Sequence, residues 1–227
     1  VHTIKFARQV TAEVPDLKEA MMSGLFRGHV TGVLFASIIV LGSTANLVQA
    51  DNSIDEISPQ IGAISAELKR VKMGWPPHTL GAVEAALTRG DEAGLHDAMA
   101  ELVLLNVIIS PEGRVKVVRG PAKSNLVQKQ PCLFLVKIEN QSGGQQRLKA
   151  IGTYTGDTQN PFVISIAKAG RFGPDLVGLP VEYRLLQVTD AKAGRHELTI
   201  AVEAGQGSQD LGFRAEVPVL FSVESAR

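Results

Sequence analysis

The apolar positions of this chain change period once. From Ser53 to about Val107 they recur every three or four residues, as on helices that each bury one stripe. Ser58-Pro59 reads as a helix start, with serine as cap and proline in the first helical position. Ile61, Ile64, Leu68 and Val71 then form one face, and Lys69, Arg70 and Lys72 fall where cations suit the helix dipole. Gly74-Trp75-Pro76-Pro77 breaks the pattern. Leu80, Val83 and Leu87 predict a second short helix ending at Gly90. Asp91 is placed to cap a third, with Leu95, Met99, Leu102 and Val103 on its inner face.

Beyond Val107 the period falls to two. Val115 and Val117 alternate with Arg114 and Lys116. Cys132, Phe134, Val136 and Ile138 point one way, with Lys137 and Glu139 opposite. Leu198, Ile200, Val202 and Ala204 repeat the pattern, as do Val217, Val219, Phe221 and Val223. Residues 146–153, 161–167 and 181–188 are further candidate strands. Turn clusters separate them, among them Ser142-Gly143-Gly144 and Ala193-Gly194. Six or seven short, half-buried strands at fairly regular spacing predict a mainly β fold. That fold is an antiparallel immunoglobulin-like β-sandwich preceded by a small helical region. Pro218 interrupts the last run and predicts an edge or a bulge there.

The residues before the helical region follow a different logic. Arg27 precedes a twelve-residue apolar run, Val30 to Leu41, and small residues lead to Val48-Gln49-Ala50. A charged start, a short apolar core and a small-residue exit read as a secretory signal over residues 22–50. Cleavage is expected after Ala50, with Ala45 the second option. The alternative is an uncleaved anchor through residues 30–48, for which the apolar run is short. Residues 1–21 are polar and read as an over-extended start. The expected organisation is therefore 1–21 extension, 22–50 signal, 51–107 helical region and 108–227 sandwich. The expected location is periplasmic or extracellular.

Composition narrows the function. The 227 residues carry 23 basic and 23 acidic side chains, and this balance argues against a nucleic-acid partner. A single cysteine, Cys132, cannot form an internal disulfide and reads as a core residue. No two of the five histidines stand at metal-ligand spacing, and no Gly-x-Ser-x-Gly elbow or calcium-loop spacing occurs. Asp157, Asp175, Asp190 and Asp210 read as turn residues. The sequence thus nominates no catalytic residue, no cofactor-binding residue and no metal ligand. Its one stretch of interest runs from Gly205 to Arg214 and includes Gly207, Asp210, Gly212 and Phe213. The expectation is an ordered strand connection with Phe213 packed on the sandwich and Arg214 at a rim. A ligand loop is the alternative.

Four stretches carry a resemblance. They are Pro111–Lys116 with Arg119-Gly120-Pro121, Phe134–Asn140, Glu182–Gln187 and Gly205–Arg214. Together they resemble the N-terminal, non-catalytic region of exported bacterial carbaryl-hydrolase-type enzymes of the polymerase and histidinol phosphatase superfamily. The resemblance covers roughly residues 53–225, and its most specific part is Gly205–Arg214. In that family the metal ligands lie C-terminal to this region, so the resemblance transfers none of them to this chain. It implies an exported accessory or binding module without its own active site. The alternatives are a fragment of, or partner to, a metal-dependent hydrolase, and a membrane-tethered structural protein. A separate or C-terminal hydrolase domain is one possible partner, the ligand is unspecified, and a membrane enters only if the signal is retained.

Overall fold

Three helices lie on one face of a two-sheet sandwich. The structure is a computed structural model, and it describes residues 53–154, 160–190, 192–205 and 213–226. All of these belong to the unit Ser43–Arg227. The residues read as extension and signal, 1–50, lie outside the described residues.

Helix α1 spans Ser53–Arg70, α2 Pro77–Arg89 and α3 Glu92–Ala100. Helix α1 starts five residues before the expected Ser58 cap and carries Pro59 inside it. The apolar stripe explains the extension. Ile57 is buried and continues the row of Ile61, Ile64 and Leu68, while Asp55 and Glu56 suit the first turn. That burial offsets the backbone hydrogen bond that Pro59 cannot donate. In α2 the buried positions are Thr79, Val83 and Ala86, with Leu80 and Leu87 half-buried. The predicted stripe is thus rotated by about one residue. Asp91 caps α3 by accepting from the Gly94 N–H at 2.8 Å, as its position predicts.

Among the described residues nine strands follow: β1 Val103–Ile109, β2 Val115–Arg119, β3 Asn125–Val127, β4 Cys132–Asn140, β5 Leu148–Tyr154, β6 Phe162–Ala167, β7 Val181–Asp190, β8 Gly194–Ala204 and β9 Arg214–Glu224. Two of these depart from the sequence reading. The run Val103–Ile109 carries the expected end of the helical region but forms a strand. Its buried, nearly continuous apolar residues fit a parallel strand covered on both faces, which periodicity alone does not separate from a helix. The short β3 has no alternating run long enough to signal it.

One sheet has the order β2-β1-β4-β7-β6 and the other β3-β9-β8-β5. The triplets β4-β7-β6 and β9-β8-β5 reproduce the B-E-D and G-F-C orders of an immunoglobulin sandwich. The β1–β2 hairpin is an addition, with β1 parallel to β4. Between the sheets lie Phe134, Val136, Ile138, Leu198, Ile200, Val202, Val219 and Phe221. Cys132 joins this core and is buried as a free thiol. Pro218 lies on β9 where β3 does not reach, because β3 pairs only with Ser222–Glu224. The strand is locally an edge there, so the missing N–H disturbs no β3 ladder.

A second core joins the helices to the outer face of the first sheet. Ile57, Ile61, Ile64, Leu95 and Met99 meet Leu133, Leu135, Tyr183 and Leu185. Strand β4 is therefore buried on both faces through its first half.

Candidate functional site

The helix-to-sheet junction opens at one end into an apolar groove of about 670 Å³. Its floor is Leu133, Phe134 and Leu135 of β4 with Leu185 of β7. One wall is Leu68 and the α1–α2 link, Met73 to Pro76. The other is Leu102 with Pro121 and Ala122, and Lys123, Asn125, His78 and Glu101 supply the polar rim.

The α1–α2 link owes its path to a left-handed residue. Lys72 sits at φ 60°. Its N–H donates to the Lys69 carbonyl at 3.0 Å, and the Met73 N–H donates to the Leu68 carbonyl at 2.8 Å. This is the paired helix-ending motif that usually places glycine at the turning position. Gly90 fills that role at the end of α2, at φ 67°. The turn after Lys72 delivers Met73 and Trp75 over the groove. Trp75 is half-buried, and its Nε1–H donates to Ser65 Oγ at 2.6 Å. That bond fixes the indole while its ring supplies apolar wall.

At the floor, β1 pairs with β4 only from Val103 opposite Leu135 onward. The segment Cys132–Phe134 is bonded to β7 on one side but has no strand on the groove side. There the Leu133 N–H donates to Met73 Sδ at 3.4 Å. A thioether is a weak acceptor, so this main-chain donor is under-satisfied.

Beside the groove, α1 and α3 are keyed to β7 by polar groups. Strand β6 ends opposite Leu185, leaving Tyr183 beyond its last pair. Gln60 Oε1 of α1 accepts from the Tyr183 N–H at 3.1 Å and from Arg184 Nη1 at 3.0 Å, while Arg184 Nη1 also donates to the Tyr183 carbonyl. Arg184 is 1% exposed and pairs with fully buried Glu182 at 2.6 Å. Burial lowers the guanidinium pKa, and Glu182 opposes that shift. Glu182 also accepts from the N–H groups of Val177, Gly178 and Leu179, so one carboxylate orders the loop before β7.

The Tyr183 hydroxyl meets His96 Nδ1 of α3 at 2.7 Å, and His96 Nε2 meets Glu92 Oε1 at 3.3 Å. Burial raises the phenol well above its ordinary pKa, so Tyr183 keeps its proton and donates it to Nδ1. The imidazole then carries its own proton on Nε2, facing Glu92. Burial first, and Lys137 second, hold His96 below the ordinary imidazole value. Tyr183 is fully buried, and its bond to His96 ties α3 to β7. The sequence reading missed it, because His96 and Tyr183 are 87 residues apart.

The nominated stretch connects β8 to β9. Gly207, Asp210 and Gly212 lie outside the described residues, as does Asp157. Gly205 follows the last residue of β8 at φ 121°. Phe213 is half-buried, with its ring against Gly113 of the β1–β2 turn. A Cβ on Gly113 would stand 2.8 Å from that ring, and the residue is at φ 81°. Side chain and backbone thus both demand glycine there. Arg214 is exposed and pairs with Glu203 at 3.1 Å and Glu216 at 2.6 Å. None of these described residues lines the groove. Asp175 pairs with Arg147 at the surface. Among the described residues no three His, Cys, Asp or Glu side chains group as a metal site, and no helix is long and apolar enough to cross a membrane.

No known family model matches the sequence, and no curated protein matches it. Solved structures do show partial likeness. Domains 4 and 5 of the S-layer protein SbsC align at 16% identity and TM-score 0.26, over 48% of this chain and 51% of that one. The PapD-like domain 7 of human CEP192 aligns at 8% identity and TM-score 0.28, over 46% of this chain and 82% of that domain. SSP-19, an MSP-domain protein like family member in Caenorhabditis elegans, aligns at 15% identity and TM-score 0.26, over 44% of this chain and 92% of that one. The chain thus spans about half of the SbsC fragment it matches. At these scores the likeness carries no functional inference. The protein's class rests on its own strand order: an immunoglobulin-like β-sandwich with a helical layer.

Proposed function

We propose that the protein is an exported, non-catalytic binding module whose ligand site is the groove beneath Trp75. The carrying observation is that groove: about 670 Å³, lined mainly by apolar residues that include Leu133, Leu135, Met73 and Trp75, with Glu101 and Lys123 as the charged residues of its lining. Concave, mostly apolar sites with a few polar groups are where ligands bind. The signal-like segment at residues 22–50 supports export. The resemblance to the region preceding a carbaryl-hydrolase-type catalytic domain supports an accessory role, in which the module holds a ligand or partner for a separate hydrolase.

Calorimetric titration of the full chain with anilinonaphthalene sulfonate tests the reading. Saturable binding with a negative heat-capacity change is expected, the mark of apolar burial. Gly74 is in the groove lining and a Cβ there meets nothing within 4 Å, so the backbone accepts a side chain at this position, and Gly74→Phe places a ring at the groove mouth. That variant is expected to weaken binding by about tenfold or more. Equal binding by the variant would move the site elsewhere.

A further inference from the structure

Resting on that binding-module reading, we infer that the groove takes an extended peptide, added as a strand beside Cys132–Phe134 of β4. An apolar pocket alone would suit many ligands, and the missing strand is what selects this one. Strand β1 leaves the sheet edge at Val103, and the chain before it turns away, with the Leu102 N–H on the Met99 carbonyl at 3.0 Å. The vacated position beside Cys132–Phe134 opens into the groove. Its one described donor, the Leu133 N–H, rests on a thioether at 3.4 Å. A peptide carbonyl is a far better acceptor than sulfur, and strand addition offers one at the required place.

Side chains alternate along such a peptide. One set would enter the apolar space between Trp75, Leu102 and Leu133, displacing Met73 from the Leu133 N–H, and the other would face solvent. Charge complementarity sets the preferred flank: of the two charged rim residues, Lys123 attracts an acidic residue and Glu101 disfavours one. Lys123 at the rim is exposed and has no anionic partner among the described residues. An acidic residue on the peptide flank near Lys123 would pair with it. The ligand class is therefore an extended segment with alternating Val, Ile, Leu or Phe and one flanking Asp or Glu.

The test is an array of short peptides alternating those apolar residues with Ser, Thr or Glu, probed with the full chain. Hits are then repeated with N-methylated backbones and with dodecanoate as a non-peptide competitor. The inference expects hits that weaken at least tenfold on N-methylation and on Gly74→Phe. It also expects the Leu133 amide proton to become protected from exchange on binding. Lys123→Glu should reverse the preference for an acidic flank. If dodecanoate and anilinonaphthalene sulfonate bind but no peptide does, the groove stands as a ligand site and strand addition is overturned. Strand addition is overturned likewise if N-methylation changes nothing. If no probe of any class binds, the binding-module reading falls with it.

Discussion

Lys72 holds a conformation that glycine adopts at little cost. A left-handed β-carbon-bearing residue costs roughly 1–2 kcal/mol, and the side chain of Lys72 forms no bond among the described residues that would compensate. Lys72→Gly is expected to raise stability by about 1 kcal/mol, as a higher melting temperature. The turn also places Trp75, so its emission should be unchanged by the variant. At the other end of the molecule, Phe213 is half-buried against Gly113. Phe213→Ala is then expected to cost about 2 kcal/mol, below the range for a fully buried aromatic. A denaturant titration measures it, and a cost near zero would mean that the ring does not clasp the β1–β2 turn. Residue types foretold the caps at Gly90 and Asp91 well, because each sits where its own chemistry is required. They could not foretell Lys72, where a residue unsuited to the turn is held by the packing of Met73 and Trp75 beyond it.

Among the elements, the helical layer depends on two polar attachments to β7. Gln60 supplies an acceptor where β6 has ended, and both the Tyr183 N–H and Arg184 use it. Gln60→Ala leaves these buried donors short of a partner, for an expected loss of about 2–3 kcal/mol. The amide of Tyr183 should also exchange faster in the variant. His96 links α3 to the same strand, and its folded pKa lies below the ordinary value of 6.5. A base with a depressed folded pKa binds protons more readily when unfolded. Stability is therefore retained above the unfolded pKa and falls as pH drops through 6.5 toward the folded value. His96→Gln removes this component, so its melting temperature should fall less than the parent's between pH 7 and pH 5. Equal slopes would show that His96 does not titrate on unfolding. Neither attachment was legible in the sequence. Gln60 reads as an ordinary polar residue on a helix, and its partners lie more than 120 positions away. Strand β1 escaped for a related reason, since the same apolar run suits a buried helix or a buried strand until its neighbours are known. The alternating strands β4, β8 and β9 were legible because one face of each meets the other sheet and polar residues recur on the opposite face, at Lys137 and Glu139, Thr199 and Glu203, and Glu216 and Ser222.

For the whole molecule, the sandwich was readable and the groove was not. The groove arises where three separate links converge: the one after α1, the one before β1 and the one after β2. Each link is short and unremarkable in sequence, and only their convergence leaves apolar surface uncovered beside an unfinished sheet edge. The stretch with the most specific resemblance, Gly205–Arg214, contributes no described residue to the groove. The chain has one tryptophan, and it forms part of that groove. Energy transfer from Trp75 to anilinonaphthalene sulfonate therefore reports occupancy of this site directly. The expected result is saturable quenching of Trp75 with matching gain in probe emission, lost in Gly74→Phe while the far-ultraviolet dichroism is preserved. Trp75 emission that ignores the probe, or transfer that persists undiminished in Gly74→Phe, would contradict the assignment.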